Sequence, residues 1–406
     1  MANKLMTAFR EKMSKSKIGG GNDAVFDVQY STGFIELDYL NGTMIHVNTP
    51  DIQIDYKSVG IVDGSSNTFI GRSGCGKSTL VTQIIGNLLR QFPTSTAYID
   101  DIEKSLPQSR EEFLLGLPSE ELRERVFIRK EGITTENVLA QIKAIHDEKV
   151  ENRADYEYDT GLFDTFGNRI YKLVPTFYFI DSFAMLMPND IVDEATIDGS
   201  MSATAIAKNN TQLIKKMTQL LSSANIILFT INHILDDIQM GFLPKPVQLD
   251  GLKTGERISG GKTALYLANN LFRLDEKTTL KDSEGFGING KIVDISLIKS
   301  RTNATRRSIP LIFDKSNGYF DNILSLYQFL KSEGAVGGAG KSMFLNNAPD
   351  IKFSQKEFKQ KLASDPKLQQ AFAEISKEYL EKLLSDTENK DIQESSVDIN
   401  SMILNL

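Results

Sequence analysis

Residues 71–79 constrain the fold of this chain more than any other stretch. They read Gly-Arg-Ser-Gly-Cys-Gly-Lys-Ser-Thr, follow the β-prone segment Thr68–Ile70 and precede an apolar, helix-like run that begins at Leu80. Glycines at this spacing let backbone N–H groups converge on phosphate oxygens, and the following helix adds the positive end of its dipole. The stretch therefore predicts a strand–loop–helix unit that binds a nucleoside triphosphate.

Within this phosphate loop, defined as residues 71–79, two side chains have specific expected roles. Lys77 is expected to reach the β- and γ-phosphates, and the Ser78 hydroxyl is expected to ligate Mg²⁺. The other residues predicted to surround the phosphates are Gly71, Arg72, Ser73, Gly74, Cys75, Gly76 and Thr79. Cys75 is the single cysteine of the chain, which excludes an intramolecular disulfide and suits a reducing compartment.

The overall composition is that of a soluble globular protein. The chain has 406 residues, of which 40% are hydrophobic and 24% are charged, and its net charge is −7. No stretch approaches the apolar length of a transmembrane helix. We therefore expect a cytoplasmic protein without a membrane partner, in the host cytoplasm or nucleoid if the source is a virus. The negative net charge argues against a surface coated in basic residues, but it is compatible with a local basic groove for nucleic acid.

Strand-like and helix-like runs alternate along most of the chain, which is typical of a parallel sheet with crossover helices. The predicted core strands are Thr68–Ile70, Ala97–Asp100, Val126–Arg129, Phe177–Ile180, Ile226–Ile231, Leu271–Leu274, Ile292–Ile298 and Ile309–Phe313. We expect an α/β core in residues 31–335, with a mostly parallel central sheet and flanking helices. Residues 1–30 predict a helical oligomerisation arm with a glycine-rich joint, residues 155–172 an inserted β-hairpin, and residues 336–406 a helical extension with an acidic tail.

Acidic side chains follow two of the predicted strands. Asp181 ends an apolar run, as expected for an acid that holds Mg²⁺ at the carboxyl edge of a parallel sheet. Hydrolysis also requires a group that orients or deprotonates water. Glu103 is our candidate for that role, and Asp100 and Asp101 remain alternatives because a one-residue bulge would change which acid faces the γ-phosphate.

A histidine follows a third predicted strand. The run Ile226–Ile231 is followed by Asn232 and His233, polar groups that would lie at the same edge of the sheet. A lone histidine is often structural, but one at a strand end beside a triphosphate is a candidate sensor of the γ-phosphate. We therefore add His233 to the predicted catalytic set.

These motifs and several others occur in a particular order along residues 30–330. They are Ser31-Thr-Gly-Phe-Ile-Glu-Leu-Asp38, the phosphate loop, Asp101-Ile-Glu103, Ile180-Asp181-Ser182, Ile231-Asn232-His233, Gly260-Gly261 and Ile298-Lys299-Ser300-Arg301. In this order and spacing they resemble the RecA/Rad family of recombinases, most closely its phage UvsX branch. The core is accordingly expected to be a RecA-type ATPase fold.

The resemblance implies an ATP-dependent recombinase that forms a helical filament on single-stranded DNA and pairs it with homologous duplex DNA. ATP and Mg²⁺ would lie between neighbouring subunits, and a loader and a single-strand-binding protein are the kinds of accessory partner it implies. Lys299 and Arg301 would reach the γ-phosphate from the next subunit, as cations do when they stabilise phosphoryl transfer. Arg110, seven residues beyond Glu103, occupies the position at which family members stack a side chain on adenine.

The resemblance also implies two DNA-binding loops. The first lies roughly between Met187 and Met201, where Met201 is a candidate apolar wedge between bases and Lys208, on the following helix, a candidate phosphate contact. The second lies between Ile234 and Gly261, and basic residues in it would contact the DNA backbone. The candidates at the second loop are Lys245, Lys253, Arg257, Gly260, Gly261 and Lys262.

Two other classes of protein share features of this sequence. A hexameric DnaB-type replicative helicase has a similar ATPase core, but the segment Ile231–His233 and the pair Gly260-Gly261 favour the recombinase. The stretch before the phosphate loop also leaves little room for a helicase collar domain. A non-enzymatic scaffold gated by ATP is the third alternative, and an acid at Glu103 favours turnover over mere gating.

Overall fold

The computed structural model describes residues 28–48, 53–163, 169–192, 201–236, 251–259, 268–283, 285–301 and 307–385. The strands are β1 (Gln29–Tyr30), β2 (Thr43–Asn48), β3 (Gln53–Ser58), β4 (Ile61–Val62), β5 (Ser66–Gly71), β6 (Ala97–Asp101), β7 (Val126–Arg129), β8 (Glu157–Phe163), β9 (Arg169–Leu173), β10 (Thr176–Asp181), β11 (Ile226–Asp236), β12 (Glu256–Ile258), β13 (Asn270–Leu280), β14 (Gly290–Ser300), β15 (Ser308–Asp314), β16 (Tyr319–Phe320), β17 (Val336–Gly337), β18 (Met343–Leu345) and β19 (Ala348–Phe353). The helices are α1 (Ile35–Leu40), α2 (Lys77–Gln91), α3 (Gln108–Leu115), α4 (Ser119–Arg125), α5 (Thr135–Glu151), α6 (Arg153–Tyr156), α7 (Asn189–Val192), α8 (Met201–Ser223), α9 (Asn322–Ser332), α10 (Phe358–Ser364) and α11 (Pro366–Ser385).

Within the described residues, ten strands form one central sheet. Its order is β16-β15-β14-β13-β5-β11-β10-β6-β7, and β12 pairs with the end of β11. The six strands from β13 to β7 are parallel, whereas β14, β15 and β16 continue the sheet with antiparallel pairing. The predicted α/β fold with a mostly parallel sheet is confirmed, as is each of the predicted core strands.

Apolar cores lie on both faces of this sheet. On one face α2 packs over β5, where the rings of Phe69 and Phe272 stack with centroids 4.9 Å apart. On the other face α5 and α8 cover β10 and β11. Because its strands are buried on both faces, a sequence such as that of β10 reads as a continuous apolar run with no alternation.

The segment Ser31–Asp38, one of the recognised motifs, has a structural role. Both oxygens of the buried Asp38 carboxylate are occupied: Oδ2 accepts from Ser31 Oγ, and Oδ1 accepts from the backbone N–H (2.7 Å) and hydroxyl of Thr32. The Thr32 carbonyl accepts from Asn87 on α2 at 2.8 Å. The motif therefore fixes the chain entering α1 against the helix that follows the phosphate loop.

Two segments outside the core sheet bear on the predictions. The inserted hairpin is present as β8 and β9, and it packs against the core through Tyr158, whose ring meets Phe92 edge-on at 5.8 Å. The prediction of a helical extension after residue 335 is wrong for residues 336–353, where β17, β18 and β19 form a three-stranded sheet before α10 and α11. The glycine-rich residues 337–340 show no alternation of apolar and polar side chains, which is the sequence signal of a strand.

The predicted N-terminal arm and the predicted acidic tail fall largely outside the described residues, which exclude 1–27 and 386–406. At the start of the described chain, Gln29 and Tyr30 form β1 and pair with β4. In the part of the chain that the structure describes, no helix combines the length and apolarity needed to cross a membrane.

Candidate active site

The phosphate loop joins the end of β5 to the start of α2, as the sequence predicts. Gly74 and Gly76 have φ values of 78° and 96°, in the left-handed region that favours glycine. Gly76 also lies against an aromatic ring, because a Cβ built on it would be 2.8 Å from Phe320 Cζ. The conformation of the loop thus requires glycine at both positions.

Lys77 is buried inside the loop, with 4% of its surface exposed. Its ammonium group donates to the carbonyls of Gly71 (3.0 Å) and Arg72 (2.9 Å), and it lies 3.8 Å from Cys75 Sγ. Burial lowers the pKa of Lys77, while neighbouring acidic groups, among them the Asp181 carboxylate, act in the opposite direction. The ammonium therefore lies at the centre of the loop, where the phosphate oxygens of a nucleotide would accept its hydrogen bonds.

His233 connects Lys77 to Glu103. Lys77 Nζ lies 3.5 Å from His233 Nδ1, and His233 Nε2 lies 2.9 Å from Glu103 Oε1. An ammonium only donates, so Nδ1 is the acceptor and the neutral imidazole carries its proton on Nε2, which donates to the Glu103 carboxylate. The structure thus places the predicted sensor between the predicted phosphate-binding lysine and the predicted water-activating acid.

Asp181 ends β10 beside the first turn of α2. Burial raises the pKa of its carboxyl, and hydrogen bonds from Ser78 and Ser105 act in the opposite direction. Ser105 Oγ donates to Oδ2 at 2.9 Å, whereas Oδ1 is buried and has no hydrogen-bond partner among the residues that the structure describes. Because buried carboxylate oxygens are nearly always paired, Oδ1 fits a role as the acceptor for a cation or its water shell.

The residues present fit Mg²⁺. Ser78 and Asp181 offer a hydroxyl and a carboxylate, which are the hard oxygen ligands that Mg²⁺ prefers. Among the described residues, no group of three or more His, Cys, Asp or Glu side chains is arranged to hold a metal.

The three acids around the end of β6 have different partners. Asp100 accepts two hydrogen bonds from Arg129, both 2.8 Å, and one from the hydroxyl of Tyr178 at 2.7 Å. Asp101 accepts from the backbone N–H of Ser105 at 2.9 Å. Glu103 alone of the three contacts His233, so the geometry favours Glu103 over the two alternatives.

Sequence reasoning assigned no role to two polar side chains at this edge, Ser182 and Asn232. Both are fully buried, and within the described part of the chain neither the Ser182 hydroxyl nor either amide atom of Asn232 has a hydrogen-bond partner. Such groups are available to bond to a ligand or an ordered water. The sequence signal that could have identified them is their position, because Ser182 directly follows Asp181 and Asn232 directly precedes His233.

A second lysine that sequence reasoning missed contacts the phosphate loop. Lys291, at the start of β14, donates to the Gly74 carbonyl and pairs with Glu276 at 3.0 Å. It is separated from Gly74 by 217 positions in sequence, so no local pattern could reveal the contact.

Arg110 lies beside the turn that precedes β16. Its guanidinium donates to the Asn317 carbonyl at 3.0 Å and packs so closely on Gly318 that a Cβ there would be 2.1 Å from Nη2. Phe113, an exposed ring on the same helix, meets Tyr319 edge-on at 6.3 Å. The predicted adenine contact thus lies among planar groups near Phe320, which adjoins Gly76.

Lys299 and Arg301 lie away from the phosphate loop of their own chain. Lys299 pairs with Leu271, which pairs with Thr68, so Lys299 is two strands away from β5 and level with a residue three positions before Gly71. At about 3.3 Å per residue and 4.8 Å per strand, the Cα atoms of Lys299 and Gly71 are roughly 14 Å apart. Arg301 lies further along the same direction, where its N–H donates to Asn269.

The predicted DNA contacts are only partly described. Met201 begins α8 but its side chain lies outside the described residues, as do Lys245, Gly260, Gly261 and Lys262. Lys208 is exposed on α8. Lys253 is exposed and pairs with Asp275 at 3.3 Å, and the exposed Arg257 donates to the Asp236 carbonyl at 3.4 Å.

The structure brings together Lys77, Ser78, Asp181, Glu103 and His233, and it leaves Lys299 and Arg301 apart from them. No model of a known protein family matches this chain, and a search of curated proteins returns no match. The function is therefore inferred from the geometry of the site and from the sequence motifs.

Proposed function

We propose that this protein is an ATP-dependent recombinase with a RecA-type core, which forms a helical filament on single-stranded DNA and pairs it with homologous duplex DNA. The observation that carries the proposal is the line of contacts from Lys77 through His233 to Glu103. A phosphate-binding lysine, a polar sensor and a carboxylate in contact form an arrangement suited to cleavage of a terminal phosphoryl group.

Each residue of the site has a distinct role in this proposal. Lys77 exchanges its carbonyl partners for β- and γ-phosphate oxygens, and the Glu103 carboxylate accepts a proton from the attacking water. His233 contacts both and so responds to the presence of the γ-phosphate. Bound Mg²⁺, held by Ser78 and Asp181, would supply Lewis-acid stabilisation of charge on the phosphates.

The position of Lys299 and Arg301 supports a site shared between subunits. At roughly 14 Å from the phosphate loop of its own chain, Lys299 is too far away to contact a γ-phosphate there. Either cation acts on phosphate only in the site of a neighbouring copy. A head-to-tail contact of this kind repeats as an open helix when its rotation does not close, and a closing rotation gives the ring of the helicase alternative.

Exposed cations near the second loop support DNA binding. Lys253 and Arg257 lie on the part of this loop that the structure describes, and their exposed contacts are weak enough to be exchanged for DNA phosphates. Lys208 on α8 adds an exposed positive charge after the first loop.

The direct test is ATP hydrolysis and strand exchange measured with purified protein. We expect hydrolysis to rise strongly on addition of single-stranded DNA, and labelled duplex to exchange a strand with homologous but not with unrelated DNA. The matched control is Lys77→Ala, which should abolish both activities. Hydrolysis that ignores DNA, or unwinding of a forked duplex without strand exchange, would contradict the proposal.

A further inference from the structure

The root of the second loop contains two carboxylates that face each other. We define the loop root as residues 234–236 of β11 and 256–258 of β12, which pair antiparallel with Asp236 directly opposite Glu256. Like charges in directly opposed positions destabilise an antiparallel pair. The pairing of these two strands therefore depends on nearby cations.

Two arginines supply that positive charge. The buried Arg273 binds Glu256 through two hydrogen bonds, of 2.7 and 2.9 Å. Arg72 of the phosphate loop binds the Asp236 carboxylate at 2.6 and 3.3 Å, and it lies 4.0 Å from Glu256. A hydrogen bond from Arg72 lowers the pKa of Asp236, so this carboxylate is ionised at neutral pH.

Arg72 is in turn connected to the nucleotide site through its own backbone. Its carbonyl accepts the 2.9 Å hydrogen bond from Lys77, the residue expected to turn to the phosphates when a nucleotide binds. Transfer of that ammonium to a phosphate oxygen releases the Arg72 carbonyl. The phosphate groups also attract the Arg72 guanidinium, which is exposed and is held by the surface pair with Asp236 and, more weakly at 4.0 Å, by Glu256.

From this arrangement we propose that Arg72 is an electrostatic switch: nucleotide binding withdraws it from Asp236, leaves Asp236 and Glu256 opposed, and loosens the loop root. The inference rests on the proposed function, because it takes the ligand of the phosphate loop to be a nucleoside triphosphate. It adds a route by which that ligand changes the DNA-binding surface. The stability of the β11–β12 pairing thus varies with nucleotide occupancy.

Hydrogen–deuterium exchange at the loop root tests the switch. A slowly hydrolysed ATP analogue with Mg²⁺, added without DNA, should speed exchange of root amides in the wild-type protein about two- to five-fold, the range expected on loss of an exposed ion pair. Asp236→Asn removes one of the opposed charges, so its root amides should exchange slowly with and without nucleotide. Arg72→Ala should exchange fast in both conditions.

A matched control breaks an exposed pair elsewhere on the same sheet. Lys277 lies 2.6 Å from Asp294 on the neighbouring strand, and Lys277→Ala should leave the response of the loop root intact. Displacement of a fluorescent nucleotide, measured on the same samples, reports binding directly. Bound nucleotide with unchanged root exchange would overturn the switch alone, whereas absence of any nucleotide binding would overturn the proposed function as well.

Discussion

At the scale of single residues, Glu103 differs from its acidic neighbours in what its carboxylate contacts. Asp100 is held by Arg129 and Tyr178, and Asp101 holds the turn that follows β6. Glu103 instead accepts from His233 at 2.9 Å and remains partly exposed. A carboxylate that is accessible to water and in contact with His233, the proposed sensor, is suited to act as a base.

Glu103→Gln tests this assignment. The amide oxygen of glutamine still accepts from His233 but does not take up a proton, so we expect nucleotide binding to persist while kcat falls about 10²- to 10⁴-fold. Steady-state ATP hydrolysis and nucleotide-binding titrations measure the two effects. The control Asp100→Asn should lower the free energy of unfolding while hydrolysis is largely retained, and normal turnover by Glu103→Gln would refute the assignment.

Glu36 predicts a dependence of stability on pH. It is fully buried in α1, and burial raises its pKa to about 8. The folded state therefore keeps a proton that the unfolded state loses above its ordinary pKa of 4.5. Stability should fall by up to about 1.4 kcal/mol per pH unit as pH rises between these two values.

Glu36→Gln removes this contribution. The free energy of unfolding of Glu36→Gln, minus that of the wild type, should increase from pH 5 to pH 8. Urea denaturation of both proteins measures this difference. Comparing the two proteins at each pH cancels other titrating groups, including Lys149, whose pKa burial lowers to about 7 and which acts in the opposite direction above that pH. A constant difference across this range would show that Glu36 titrates normally.

At the scale of elements, the turn from β5 into α2 depends on two glycines that differ in their surroundings. Both have positive φ, but a Cβ on Gly74 would meet no heavy atom of the described residues within 4 Å, whereas one on Gly76 would meet the ring of Phe320 at 2.8 Å. Gly74→Ala should lower the free energy of unfolding by about 1–2 kcal/mol through backbone strain alone. Gly76→Ala should lower the free energy of unfolding by about 1–3 kcal/mol more than Gly74→Ala does, because the Phe320 ring must move.

Thermal and urea denaturation of the two variants measure this difference. We also expect Gly76→Ala to bind nucleotide more weakly, since Gly76 directly precedes Lys77 at the start of α2. Equal stability of the two variants would show that Phe320 does not restrict the loop.

Local chemistry explains which parts of the fold could be predicted. The phosphate loop and the strand before Asp181 were predictable because glycine spacing and an unbroken apolar run are local signals. The contact between Arg72 and Asp236 spans 164 positions, and only the folded sheet places them together. The strands β17, β18 and β19 escaped prediction because they are short and contain only two β-branched residues, Val336 and Ile351.

At the scale of the whole molecule, the separation of Lys299 from its own phosphate loop predicts complementation between subunits. Lys299→Ala and Lys77→Ala should each be inactive alone. In a mixture, a Lys299→Ala subunit supplies an intact phosphate loop and a neighbouring Lys77→Ala subunit supplies Lys299. Random assembly at equal amounts would restore activity to about a quarter of interfaces.

ATP hydrolysis on single-stranded DNA, measured across mixing ratios, reports this rescue. A mixture of Lys77→Ala with Glu103→Gln is the matched control, because both changes lie on the same side of the interface and should show no rescue. Failure of the first mixture at every ratio would place Lys299 outside the active site.

The central claim is that nucleotide is cleaved between consecutive copies assembled along DNA. Electron microscopy of the protein with single-stranded DNA, Mg²⁺ and a slowly hydrolysed ATP analogue tests it most directly. We predict open helical filaments that form with the wild-type protein and are lost when Mg²⁺ and the analogue are left out. Closed rings, or particles that stay monomeric under these conditions, would contradict the claim.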